Sequence, residues 1–302
     1  MAAEPRRGPI TVYWQHSFEE GTVFSPADYG TRFGMSRHRF QDITSALSFA
    51  PLKSASECKN DPWYPIRPFV EAFNATRYNN ITPGYHLTVD ECMSAWNGSD
   101  GKYRHDGMPH KTKIPRKPEG VGAEMKSLCC GITGIMLKLD IMEGKDRQAA
   151  KPFCAEYGEG TAITLRLTQG YFGSSRVVHA DSAFSSVKTL EALKIHGLRF
   201  MGIVKTATKG YPKRLLTMWA AGELEGMKPN RGDHILLEAT TVRAGQFYAC
   251  GWADKKPKFI ISNCGSTNPG QPSIRPRHRR EVVTGEPVTV AYEKHVKRPH
   301  MI

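Results

Sequence analysis

The sequence predicts an α/β protein whose helical N-terminal part gives way, near Gly84, to a region of strands and helices. Three observations carry this reading. Before Pro83 the apolar residues recur at helical spacing; after Gly84 they fall into short runs rich in β-formers; and a helix-period segment ending before Gly197 lies between two of those runs. A chain of 302 residues with 39% hydrophobic and 10% aromatic content can bury one substantial core or two smaller ones.

The first element is SRHRFQDITSALSF from Ser36, which sets Phe40, Ile43 and Leu47 at helical spacing behind Ser36 as N-cap. A second helix is expected from Pro68 to Tyr78, after the punctuation of Pro62 and Pro65, with Pro68 where a first turn tolerates it. HLTVDECM then alternates as a strand, and KSLCCGITGIMLKLDIM reads as two apolar strands joined through Gly131 to Gly134. RVVHADSAF is a short buried strand ending on a carboxylate. SSVKTLEALKIHG is a helix with Val187, Leu190 and Leu193 on one face, and FMGIVKT is the next strand. Beyond a Lys/Gly/Pro-rich stretch, HILLEATTV, GQFYACGWAD and KFIISNC are three more strands, read as a small β-rich insertion. From Gly265 to Arg280 the chain is Pro, Ser and Arg rich and reads as an exposed basic linker.

Charge narrows the function classes. Forty-two Lys and Arg against 29 Asp and Glu leave a formal charge of +13, the footprint of a phosphate-rich partner, with an anionic membrane surface and simple solubility as the alternatives. Met1 to Pro9 has an arginine pair but no apolar run after it, and no stretch approaches a membrane span, so an intracellular, nuclear location is expected. Cys58, Cys92, Cys129, Cys130, Cys154, Cys250 and Cys264 include no C-x-x-C pair, which argues against a zinc module or a disulfide framework. Asn74, Asn80 and Asn97 match the glycosylation pattern, which matters only in a secreted chain, and read as ordinary asparagines.

Asp90 lies inside a predicted strand and Asp181 at the C-terminal end of another. Strand-borne carboxylates that meet in an α/β sheet can hold a hard divalent cation, because Mg²⁺ takes oxygen ligands and often uses one or two protein carboxylates plus phosphate. Spacing alone leaves a structural alternative open, in which Asp90 pairs with a nearby Lys or Arg and Asp181 caps a helix beginning near Ser182. A basic segment, GKYRHDGMPHKTKIPRKP, carries Lys102, Arg104, Lys111, Lys113, Arg116 and Lys117 against Asp106, a composition suited to phosphate. A solvated loop is the plainer account of the same run. Arg275, Arg277, Arg279 and Arg280 form a second cluster, equally consistent with a linker or a nuclear localisation signal.

Five segments in order resemble the piggyBac-type DNA transposases: RFGMSRHRFQDITSALSF from Arg32, VDE at Val89 to Glu91, KPEGVGAEMK from Lys117, VVHADSAFSSVKTLEALKIHGLRFMGIVKT from Val177, and GWADKKPKFIISNCGS from Gly251. Ser182 stands where the family usually has Asn, and Val204-Lys205 where it has Thr-x-Arg. The resemblance implies an RNase H-like DDE core at 85–206, a helical N-terminal dimerisation or DNA-binding domain at 1–84, a β-rich insertion at 207–274, and a basic linker returning to the core at 275–302. It further implies Asp90 and Asp181 as catalytic, metal-holding acids, Mg²⁺ or Mn²⁺ as cofactor, double-stranded DNA cut at TTAA targets as substrate, and a possible homodimer.

The family's third aspartate follows a tyrosine whose counterpart here is Tyr292; the family spacing reaches His300, and no Asp or Glu follows Glu293. Glu293 is the one stand-in on offer, and it falls early relative to that spacing. The expectation is therefore a transposase, or its remnant, incomplete for chemistry as the sequence stands, with a non-catalytic DNA-binding or dimerising protein as the alternative.

Overall fold

The computed structural model describes residues 9–17, 26–51, 61–96, 109–115, 120–205, 209–243, 245–265, 277–280 and 287–290. The chain divides into two compact units, 1–69 and 70–302. Among the described residues no helix is long and apolar enough to cross a membrane.

In the first unit a 3-10 turn, Ile10–Trp14, and helix α1, Tyr29–Phe33, meet through aromatic rings, with the Tyr13 and Tyr29 centroids 5.2 Å apart and those of Trp14 and Tyr29 5.9 Å apart. Trp14 Nε1 donates to the Met35 carbonyl at 2.8 Å, so the ring is fixed at its polar edge as well. Helix α2, Arg37–Ala46, starts where the sequence predicts: Ser36 Oγ accepts the Arg39 amide at 3.2 Å. None of its residues is buried, and Ile43 and Leu47 of the predicted apolar stripe are 40% and 58% exposed. Helix α3, Arg67–Asn80, extends the predicted helix by a residue or two at each end.

The second unit is built on one mixed sheet. Its strands are β1 His86–Ala95, β2 Thr112–Lys113, β3 Val121–Cys130, β4 Met136–Ile141, β5 Val177–Ala180, β6 Arg199–Ile203, β7 His234–Thr241, β8 Gly245–Trp252 and β9 Lys258–Ser262. They run in the order β2-β3-β1-β5-β6-β9-β8-β7, with β4 also on β3. β1 is antiparallel to β3 and parallel to β5, β5 is parallel to β6, and β9 returns antiparallel on β6. Alternation along β1 sends Leu87 and Val89 to one face, at 0% and 1% exposure, and His86, Thr88 and Asp90 to the other. On the Leu87 face, Val178, Ala180, Phe200 and Ile261 from neighbouring strands meet helices α6, Glu159–Thr168, and α7, Val187–Ile195, to form the main core.

The segment expected as a β-rich insertion contributes helix α8, Lys213–Ala221, and strands β7 to β9, and these strands hydrogen bond onto β6 as a continuation of the same sheet. Part of the expected basic linker is instead extended, because β10, Arg277–Arg280, pairs antiparallel with β11, Pro287–Val290.

Three helices between β4 and β5 were not foreseen: α4 Lys145–Ala149, α5 Cys154–Tyr157 and α6. The reason lies in EGTAITLRLT, where glycine and β-branched residues hide the helical period and every residue from Thr161 to Thr168 is buried, leaving no polar face to betray a stripe. Most buried polar side chains of α6 are paired, the Thr164 hydroxyl being the exception. Arg166 donates to Asp140 Oδ2 at 2.8 Å, to the Pro152 carbonyl at 3.2 Å and to Glu159 Oε1 at 3.1 Å, and Thr161 and Thr189 hydroxyls are 2.9 Å apart between α6 and α7.

Candidate active site

Parallel pairing of β1 with β5 aligns Leu87 with Val178, Thr88 with His179, and Val89 with Ala180. Each predicted acid is the residue after the last pair of this register: Asp90 continues β1 beyond Val89, and Asp181 follows Ala180 just past the end of β5. Asp90 is exposed, and its Oδ1 accepts the Glu91 amide at 2.7 Å. Across β3 it faces Ser127, whose hydroxyl donates to the Asp90 carbonyl at 3.2 Å. Each carboxylate keeps acceptor sites beyond these bonds.

Asp181 is not the cap of the following helix. That helix begins at Val187 with Ser186 as N-cap, its Oγ accepting the Thr189 amide at 3.0 Å. Asp181 instead opens a tight turn: Oδ1 accepts the Ala183 amide at 2.8 Å, and its carbonyl accepts from the Phe184 amide at 3.2 Å and from Ser185 Oγ at 2.7 Å. Phe184 anchors the turn in the core at 3% exposure.

Glu91 follows Asp90 in sequence but points to the other face of the sheet. There Lys126, 6% exposed, lies 3.3 Å from Glu91 and 2.5 Å from Glu124, with its ammonium 5.3 Å from the Phe184 ring centroid. The adjacent acids of the VDE run therefore separate into an exposed carboxylate and a paired one whose lysine braces the ring of the Asp181 turn.

On the Asp90 face a further pair was not foreseen. His86 Nδ1 and His179 Nε2 are 2.9 Å apart across β1 and β5, and burial together with His86 holds His179 below the usual imidazole range. The signal was present in the alternation, since His86 and Asp90, like His179 and Asp181, differ by an even number of residues, but the parallel register that joins them was not readable.

Of the predicted phosphate-binding residues, Lys111 and Lys113 are exposed, with Lys113 on β2 opposite Val121 of β3. Lys102, Arg104, Arg116 and Lys117 lie outside the described residues, as do Arg275, Tyr292, Glu293 and His300. Among the described residues no three His, Cys, Asp or Glu side chains gather closely enough to enclose a metal ion. The six described cysteines are free thiols.

An antiparallel β4-β3-β1 arm joined to parallel β5 and β6, with an acid on the central strand and another just past its parallel neighbour, is the arrangement of an RNase H-like core. The chain belongs to the Transposase IS4 family, whose model matches residues 14–300. Its fold is similar to that of a piggyBac transposase solved as a synaptic complex with hairpin DNA: 21% identity over 92% of this chain and 52% of that one, with a TM-score of 0.61. The chain thus spans about half the length of that transposase. Two structures of Ciona intestinalis endonuclease V with inosine-containing DNA match at 8% identity, over 65% and 64% of this chain and 83% and 80% of theirs, with TM-scores of 0.28 and 0.30. No curated protein sequence is significantly similar.

Proposed function

We propose that this chain is a piggyBac-like DNA transposase component in which Asp90 and Asp181 hold Mg²⁺ or Mn²⁺ against the DNA backbone. The observation that supports the reading is the parallel β1–β5 register, whose last pair, Val89 and Ala180, immediately precedes Asp90 and Asp181. Two carboxylates suit a hard cation whose remaining oxygens come from phosphate and water. Members of DDE families use divalent ions, and a bound pair of such ions activates water and stabilises the leaving oxygen. This chain's own residues position the acids: Ser127 holds the Asp90 backbone, and Ser185 with Phe184 holds the Asp181 turn. Lys111, Lys113 and the basic residues flanking them neutralise phosphates of double-stranded DNA, a term without sequence preference that weakens with salt. The division into an N-terminal binding or dimerising part, a core and an outer β part is part of the same proposal.

The test has two readouts on the full chain. Mn²⁺ binding, followed by electron paramagnetic resonance with hairpin DNA present, should be lost in Asp90→Asn and in Asp181→Asn; unchanged binding in both variants would remove the acids from the site. Fluorescence anisotropy with duplex DNA should give an affinity that falls steeply between low and high salt, and a flat dependence would remove the phosphate contacts. An excision assay on a donor with TTAA flanks decides chemistry. Excision abolished by Asp181→Ala assigns a catalytic role, whereas salt-dependent binding without excision assigns a non-catalytic DNA-binding role.

A further inference from the structure

Resting on that reading, we propose that Tyr85, His86 and His179 form a stacking ladder for unpaired DNA bases beside the acid pair. The three rings run in contact from the start of β1 across to β5: the Tyr85 and His86 centroids are 5.3 Å apart at 84°, and those of His86 and His179 are 5.0 Å apart at 50°. His86 and His179 lie on the sheet face that bears Asp90, with Tyr85, just before β1, edge-on against the His86 ring, and all three are accessible, since Tyr85 is 45% exposed, His86 is exposed and His179 is half-buried. The hydrogen bond between the two imidazoles, 2.9 Å long, locks the rings into one arrangement, so little rotamer freedom remains to be lost when a base docks. His179 precedes Asp181 by two residues, roughly 7 Å at the rise of a strand, which sets the ladder next to a backbone held at the acids.

The charged side chains of this face suit a nucleic-acid strand and not an acidic partner. Arg199 stands in the same cross-strand row as His86 and Val177 and is exposed. Among the described residues of β1, β3, β5, β6 and β9 that share the face, Asp90 is the sole carboxylate, joined by Asp181 just beyond β5. A basic side chain and open rings at one end, and metal-type ligands at the other, match a strand whose phosphates run toward the acids. In a duplex the base faces are covered by their neighbours, so aromatic rings on an open sheet act on unpaired bases, and do so without reading sequence.

The experiment compares binding of the full chain to a blunt duplex and to the same duplex carrying a short unpaired extension with 2-aminopurine. The extended DNA should bind at least about fivefold more tightly, the low end for one base stacked on one aromatic ring, with quenching of 2-aminopurine fluorescence. Tyr85→Ala and His86→Ala should each remove most of that preference while leaving blunt-duplex affinity and Mn²⁺ binding unchanged. His86→Phe keeps a ring and should retain it, which separates loss of stacking from misfolding. Arg199→Ala should weaken both DNAs and reduce the salt slope by about one. Equal affinity for the two DNAs, or a preference that survives both alanine variants, overturns the ladder and leaves the phosphate contacts standing; failure to bind either DNA overturns both readings.

Discussion

Gly202 on β6 controls the Asp181 turn from beneath. A Cβ at this position would lie 2.1 Å from Ser185 Oγ, 3.0 Å from Ser185 Cβ and 2.8 Å from Phe200 Cζ, and Ser185 is the residue whose hydroxyl holds the Asp181 carbonyl. Gly202→Ala therefore forces Ser185 to abandon its bond. Overpacking contributes about 1–3 kcal/mol of destabilisation, the lost bond about 1 kcal/mol more, and the stiffer unfolded chain offsets about 0.4–1 kcal/mol of this. The net loss is about 1–3.6 kcal/mol, which for a unit of this size lowers Tm by roughly 2–14 °C. Thermal unfolding followed by circular dichroism measures it. Adding Ser185→Gly to Gly202→Ala removes two of the three obstructions, so the pair should couple favourably by about 1 kcal/mol or more. A Gly202→Ala protein that melts within about 1 °C of its parent, or a deficit that Ser185→Gly leaves untouched, would refute the steric account. The same substitution should weaken Mn²⁺ binding, because the backbone that aims Asp181 has moved.

Three further outcomes are expected. Ser186→Ala removes the N-cap of α7 and should destabilise by about 1 kcal/mol in a thermal melt, with Ser186→Asp restoring most of it. Asn74 closes the free edge of β4, donating to the Leu139 carbonyl at 3.0 Å and accepting the Leu139 amide at 2.8 Å. Asn74→Ala should speed hydrogen exchange at the Leu139 amide and cost about 1–3 kcal/mol, and an unchanged exchange rate would show another group closing that edge. Burial pushes the Cys250 thiol up to about 12, so native-state alkylation near pH 8 should spare Cys250 until the sheet unfolds, as peptide mass spectrometry would reveal.

By itself the sequence determined the order of the elements around the acids, because their signals are local. Alternation marked β1, the Val177–Val178 run marked β5, the spacing of Val187, Leu190 and Leu193 marked α7, and Ser36 marked the start of α2. Ordered motifs pointed to the family for the same reason. Tertiary structure decided what depends on pairing partners far apart in the chain. The parallel β1–β5 register sets His86 against His179 and puts Asp90 and Asp181 each one residue past the paired Val89 and Ala180, across a stretch of chain that carries no local record of it. Burial on all sides hid α6, since a helix without a polar face has no period to read. The pleat likewise split Asp90 from Glu91, leaving one acid exposed and turning the other inward to Lys126, a separation that follows from two-residue alternation once the core face is known.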